Sequence, residues 1–365
     1  MTLAANRIVA GDGFRAWDLA GPGVTAPALA ALLAALAMGL LGAWPMLRIA
    51  GAALGLGALV WLLTLGSANL LDGAGPYARV SPGAGFWCLQ LVLALLLADG
   101  LTQLSPGPWA RLGILTVALT LLAAVLMSGL LSPLSVMQEF ASRQSAFFDA
   151  LSRHVWLSLG SLGVAALIGL PLGIACYRRP PLQDTLLPAL SFLQTIPSLA
   201  MFGIMIPLLG WVGDTVPGAQ AIGIAGIGFA PAFIALVLYS LLPVVANTVA
   251  GLSSTPPAAQ EAARGMGMTF AQRLIKVELP LGLPIILAGL RIVLVQNIGL
   301  AVIAGLIGGG GFGTFVFQGL NQTATDLILL GALPVVALAV VAGVVMDILV
   351  ALTQPQRRPA PKGTP

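Results

Sequence analysis

Apolar runs of about 20 residues, separated by short polar stretches, fill the chain from residue 27 to residue 352. An α-helix rises 1.5 Å per residue, so about 20 apolar residues cross a hydrocarbon layer ~30 Å thick. That ruler predicts nine spans, at about 27–47, 49–70, 84–103, 112–133, 155–176, 186–208, 228–250, 284–307 and 327–352. Only Arg48 separates the first two. The pattern predicts an all-α, polytopic membrane protein with about nine transmembrane helices. Two polar stretches stand out against it. Residues 134–153, LSVMQEFASRQSAFFDALSR, are amphipathic, and Phe140, Phe147, Phe148 and Leu151 can lie along a membrane surface. Residues 256–280, PPAAQEAARGMGMTFAQRLIKVELP, gather charge between two long apolar runs.

Composition agrees with the spans. Hydrophobic residues make up 58% of the 365 positions and charged residues 8%, against roughly 25% charged in soluble domains. The net charge is +4. In such a chain a basic balance reflects Lys and Arg in cytoplasmic loops, and no basic cluster with interleaved aromatics points to nucleic acid. If the 256–280 loop is cytoplasmic, Arg48, Arg111, Arg178, Arg179, Arg264, Arg273, Lys276, Arg357, Arg358 and Lys362 lie inside. Arg7, Arg15, Arg79, Arg143 and Arg153 then lie outside, with Arg291 inside a span. Ten of sixteen basic residues inside against five outside favours this orientation, with the N-terminus outside. The first residues lack an apolar stretch directly after a basic one, so no cleavable leader is expected and the first helix stays as an anchor. Cys88 and Cys176, far apart and in or beside apolar runs, are expected as buried free thiols. Neither a metal site nor a cofactor is expected.

The organisation that follows is an N-terminal accessory bundle of about four spans (1–133), an amphipathic linker (134–153), a five-span core (154–352) with a cytoplasmic loop at 253–283, and a disordered tail (353–365). Within the loop, Thr255 is expected to cap a short helix with Pro256 at its first position. That helix runs through Glu261 and Arg264 and ends at Gly265 and Gly267. Thr269 then caps a second helix, with Gln272 completing a capping box. Phe270, Leu274 and Val277 share one face before Pro280 and Pro284 interrupt it. Ala258, Ala259, Ala262 and Ala263 are small enough to let the first helix sit deep in another protein's groove. Glu261, Arg264, Arg273 and Lys276 are expected at the rim, orienting the docking.

Glu261-Ala262-Ala263, then Gly267, then Val277-x-Leu279-Pro280 resembles the EAA loop of ATP-binding cassette (ABC) importer permeases, E-A-A-x3-G-x9-I-x-L-P, with valine in place of the isoleucine. The resemblance implies a type I ABC importer permease core. It assigns Glu261, Ala262, Ala263, Gly267, Leu279 and Pro280 to contact with a cytoplasmic ABC ATPase. The phrases HVWLSLGSLGVAALIGLPLGI (154–174), LQTIPSLAMFGIMIPLLG (193–210), ALVLYSLLPVVANTVAGL (235–252) and LAVIAGLIGGGGFGTFVFQGL (300–320) resemble permeases of glycine betaine, choline and carnitine importers. Similar wording occurs in permeases for methionine and other small solutes, and the extra N-terminal spans resemble a longer variant of the osmoprotectant group. The resemblance further implies a second permease subunit, identical or different, an external substrate-binding protein, and a bacterial inner-membrane setting.

The chain has no G-x-x-x-x-G-K-[ST], since Lys276 precedes Val and Lys362 precedes Gly, so no phosphate cradle is expected and ATP hydrolysis falls to a partner. The glycine-rich GIAGIGF (223–229) and GGGGFG (308–313) lie at span ends without the strand a nucleotide loop needs, and read as packing, helix ends or pore lining. Gln194, Thr195, Ser198, Tyr239, Asn247, Gln296 and Asn297 are polar groups on core spans that can line a translocation path or tie helices together. Arg291 is expected to snorkel to the cytoplasmic surface, with Asp347 similar, and His154 to anchor its span. Sparse tryptophan and tyrosine in the core place tight recognition of a quaternary ammonium solute on a separate binding protein. An ion-driven secondary transporter needs embedded relays that this chain scarcely has, and a membrane enzyme needs a catalytic set that one histidine does not supply.

Overall fold

The structure is a computed structural model describing residues 1–6, 9, 11–41 and 44–354. Arg7, Arg357, Arg358, Lys362 and the rest of the tail beyond Gln354 lie outside the described residues. The chain forms two compact units, one from Met1–Phe147 with Phe315–Leu330, the other from Phe148–Thr314 with Gly331 onward.

In the first unit a short strand β1 (Thr2–Ala4) pairs antiparallel with β2 (Asp12–Gly13). Helices α1 (Pro22–Leu41) and α2 (Pro45–Leu71) follow, then strand β3 (Arg79–Ser81), which pairs with the other edge of β1 with Thr2 opposite Ser81. Helices α3 (Ala84–Leu104), α4 (Pro108–Met127) and α5 (Ser135–Ser142) complete the element order. α1, α2 and α3 pack side by side around Leu32, Ala35, Leu59, Leu62 and Leu93. These helices are apolar on every face, as membrane spans are, and none of the residues of α4 is buried. Charge sits at the two ends of this bundle. At one end Glu139 is 3% exposed between the guanidinium groups of Arg79 at 3.6 Å and Arg143 at 3.1 Å. At the other, Arg48 pairs with Asp99. Cys88 departs from expectation: it faces out of α3 and is exposed, whereas Cys176 is buried, and both thiols are free.

The second unit contains most of α6 (Gln144–Val155), which runs through a five-residue π turn at 156–160 into α7 (Ser161–Arg178). The expected boundary between linker and span near residue 154 is therefore interior to one helical run. The next span differs more. In place of a single helix at 186–208 there are two, α8 (Pro180–Thr195) and α9 (Ser198–Thr215). The cause is local, because a residue before proline is pushed out of the α region, and Ile196 before Pro197 has ψ 124. α10 (Phe229–Ser253) is the centre of the unit and packs most extensively on α7 and on α13 (Leu279–Leu300). Between α10 and α13 lie the short helices α11 (Pro257–Gly265) and α12 (Phe270–Arg273). α14 (Gly313–Asn321), most of which belongs to the first unit, and α15 (Thr325–Thr353), which belongs to the second from Gly331, close the chain. Among the described residues, nine helical runs are long and apolar enough to cross a membrane.

Three features hold the second unit together. Leu157, Met201, Phe202, Met205, Leu236 and Ile307 form its main apolar core. Asn297, with no exposure, sits where three helices meet: its amide donates to the hydroxyls of Ser161 on α7 at 2.9 Å and Ser240 on α10 at 2.8 Å. His154, also fully buried, bonds through Nε2 to the Ile298 carbonyl at 2.9 Å and rests against Phe312, which ties the start of the α7 run to α13. Arg291, expected to snorkel, has a partner that sequence reasoning did not assign to it. Its guanidinium donates to Asp347 on α15, and pairing is how two embedded charges avoid facing lipid alone. The glycine-rich 308–313 segment packs on Arg153 and His154, as a span end rather than a nucleotide loop.

Asn297→Leu keeps the volume but removes both interhelical donors. Such bonds in membrane proteins average about 0.6 kcal/mol with a maximum near 1.7, so the expected outcome is a fall of a few degrees in the unfolding temperature in detergent, read by intrinsic fluorescence. No change would mean that the polar node contributes nothing to helix association.

Candidate coupling site and translocation path

The charged loop folds as two short helices around a glycine turn. α11 begins one residue later than expected: Pro256 is the N-cap, with ψ 134, and Pro257 takes the first helical position. Pro257 forbids a helical Pro256, and Thr255 is buried instead of capping. The helix ends in a Schellman motif. The Met268 N–H donates to the Ala263 carbonyl at 3.1 Å and the Gly267 N–H to the Arg264 carbonyl at 2.9 Å, with Gly267 at φ +74. Only glycine adopts that φ without strain. Thr269 and Gln272 then form the expected capping box, both hydrogen bonds being present.

Beyond α12 the expected interruption at Pro280 and Pro284 is absent. Residues 274–278 form a π turn that leads directly into α13, and the helical run from Phe270 to Leu300 is continuous. A proline ring clashes with the carbonyl four residues back in an α-helix, and the wider turn lies where that carbonyl falls, at Lys276. α10 and α13 converge just before and after this loop. A Cβ on Gly251 would come 2.8 Å from the Gly282 carbonyl oxygen, and one on Gly282 2.4 Å from that of Gly251, so both positions require glycine.

The side chains divide by face. Glu261, Ala262, Arg264, Gly267 and Lys276 are exposed, as are Met266 at 69% and Ile275 at 63%. Ala263 is 1% exposed and faces the chain itself, Leu279 is half-buried, and Pro280 is exposed. Arg273 is not at the rim. Its Nε donates to Glu278 Oε1 at 2.6 Å, the two side chains being 15% and 0% exposed. Sequence reasoning missed Glu278, Tyr177 and Arg178. Arg178, the last residue of α7, lies over the Phe270 ring at 4.7 Å, with Arg273 also against that ring at 5.6 Å. A lone glutamate two residues before a proline, five positions after an arginine, was the available signal.

The polar residues considered for a path separate into two groups. Gln194 and Tyr239 engage each other across the break between α8 and α9. Pro243 has no N–H to offer the Tyr239 carbonyl, and the Gln194 amide donates to that oxygen at 2.7 Å. The Tyr239 hydroxyl in turn donates to the carbonyl of Ile196, which belongs to neither helix. With Asn297, these residues join helices. The second group stays accessible. Thr195 and Gln296 are exposed, and Ser198 and Asn247 half-buried, with Asn247 donating to the Pro243 carbonyl at 2.7 Å.

Spans broken by proline and stitched by side chains, with an exposed short helix between two of them, are a build that membrane transporters use. Residues 165–359, more than half of the chain, match the binding-protein-dependent transport system inner membrane component family, and the chain belongs to that family of ABC importer permeases. Residues 1–137 match the N-terminal domain of ABC transporter permease YehY. Relatives include the osmoprotectant import permease protein OsmW of Salmonella typhimurium, 44% identical over 52% of this chain and 83% of that protein. The carnitine transport permease protein OpuCB of Listeria monocytogenes is 39% identical, over 52% and 79% respectively. The choline transport system permease protein OpuBB of Bacillus subtilis is 36% identical, over 57% and 86%.

Gln194→Leu would leave the Tyr239 carbonyl without a donor inside the bundle, at a cost of about 1–3 kcal/mol. The expected outcome is faster amide hydrogen exchange confined to the α8–α9 break and the facing turn of α10. Unchanged exchange there would show that the break is held by other contacts.

Proposed function

We propose that this chain is the permease subunit of an ATP-driven importer for osmoprotectants such as glycine betaine or choline. The observation that supports this most is the E-A-A, glycine, L-P stretch on an exposed helix ended by a left-handed glycine. Glu261, Ala262 and Gly267 meet the cytoplasmic ATPase, Ala263 seats the helix on its own chain, and Leu279 and Pro280 start the span that receives the motion. Two permeases, identical or different, enclose the pathway, and an external binding protein delivers the solute. Closure of the ATPases draws the coupling helices together and shifts the core spans between outward-open and inward-open states. Thr195, Ser198, Asn247 and Gln296 line the path, while Gln194, Tyr239 and Asn297 hold its walls. The first 133 residues are an accessory bundle. The choice of solute follows relatives named for osmoprotectants, carnitine and choline.

The chemistry of the loop makes the test direct. Glu261→Lys reverses an exposed charge at the proposed contact, and Gly267→Asp places a side chain on a left-handed residue, at roughly 1–2 kcal/mol of strain. Each is expected to cut ATP-dependent uptake of labelled glycine betaine or choline by about tenfold or more, with loss of ATPase co-purification. Wild-type uptake and co-purification in both variants would contradict the assignment. Uptake by the permease alone in ATP-free vesicles would contradict ATP coupling, and uptake of an amino acid with neither betaine nor choline would move the solute class.

A further inference from the structure

A force applied to α11 reaches the membrane spans only if the connection behind it is stiff, and one joint in that connection lies between α12 and α13. There the chain makes a π turn at 274–278, and Pro280 offers no N–H to the turn behind it. A helix with missing bonds and a wide turn bends at that point. Across this segment the Arg273 guanidinium, 15% exposed, holds the fully buried Glu278 carboxylate at 2.6 Å. The pair spans the turn from its last α12 residue to its last π residue.

The same arginine faces the Phe270 ring, whose other close cation is Arg178 at the end of α7. Tyr177, the residue before it, lies beside the Glu278 carboxylate, and its hydroxyl oxygen accepts from the Gln260 amide of α11 at 3.5 Å. α11, α12, α7 and α13 therefore meet through one small polar cluster. Burying an ion pair is a poor way to add stability, because the desolvation of both charges offsets their attraction. What a buried, directional pair does supply is a fixed geometry.

We infer that Arg273 and Glu278 are positioning residues for energy coupling: the pair locks the π turn so that displacement of α11 moves α7 and α13 together instead of being absorbed by bending. The inference rests on the proposed docking of α11 to an ATPase. It assigns a separate role to two side chains that do not touch that partner. Removing the pair should therefore spare docking and hydrolysis while lowering the solute moved per ATP.

The experiment compares wild type, Arg273→Met, Arg273→Lys and the double variant Arg273→Met/Glu278→Met, each assembled with the ATPase and binding protein in proteoliposomes and supplied with labelled glycine betaine. Arg273→Met should co-purify with the ATPase as wild type does and hydrolyse ATP within about twofold of it. Its uptake per ATP should fall about tenfold, and Arg273→Lys should recover most of the loss. The double variant leaves no buried unpaired charge, so it folds even if Arg273→Met does not, and it should show the same tenfold loss. Wild-type uptake per ATP in either the folded single variant or the double variant would overturn the inference. Failure of the wild-type chain to bind the ATPase would instead overturn the docking on which it rests.

Discussion

A backbone carbonyl inside a bilayer must find its donor within the protein, and this chain repeatedly removes donors by placing proline inside its spans. Pro171, Pro207, Pro243, Pro284 and Pro334 lie within α7, α9, α10, α13 and α15. At Pro243 and Pro197 the arrangement of the second unit follows from how the freed groups are met. At Pro243 the orphaned Tyr239 carbonyl recruits Gln194 from the end of α8, and the Tyr239 side chain satisfies the carbonyl exposed by the break at Pro197. One proline in α10 and one between α8 and α9 thus answer each other. The result is two helices joined at a defined point, which a continuous apolar helix could not provide.

The same constraint shapes the coupling region. Pro257 sets the start of α11 by excluding Pro256 from the helix, and the π turn precedes Pro280 without breaking the run into α13. The exposed face of α11 and the buried Arg273–Glu278 pair are then two halves of one device, the first meeting a partner and the second holding the shape behind it. Transport by such a machine needs rigid elements with a few defined joints, because packed interfaces shift between discrete arrangements rather than deforming continuously.

Periodicity and length made the spans legible, since apolar runs of 20 residues have one reading in proteins of this composition. The capping box at Thr269 and the glycine stop at Gly267 were legible too, because their signals lie within four residues of where they act. What the sequence concealed depends on contacts distant along the chain. Nothing near Asn297 announces Ser161 and Ser240 as partners, and Arg291 reads as a lone embedded charge until Asp347, 56 residues on, is brought beside it. Helical spacing puts Arg273 at the rim because it assigns faces to a regular helix, but the π turn that follows shifts the register by one residue and buries its partner. Pro197 was legible in principle, but hydropathy averages over it, which is why 186–208 read as a single span. The exposed Cys88 has the same origin: apolar surroundings in sequence imply a span and do not say which side faces lipid.

The central claim is that the exposed face of α11 is where a cytoplasmic ATPase takes hold. Site-directed cross-linking measures this most directly, with single cysteines placed at Glu261 and Arg264 on that face and at Phe148 as a remote control, in a chain whose native Cys88 and Cys176 are replaced by serine. Cross-linking to the co-expressed ATPase at 261 and 264, absent at 148 and changed in yield by ATP, is the result expected. Equal labelling at all three positions, or none at 261 and 264 while the assembled importer remains active, would contradict it.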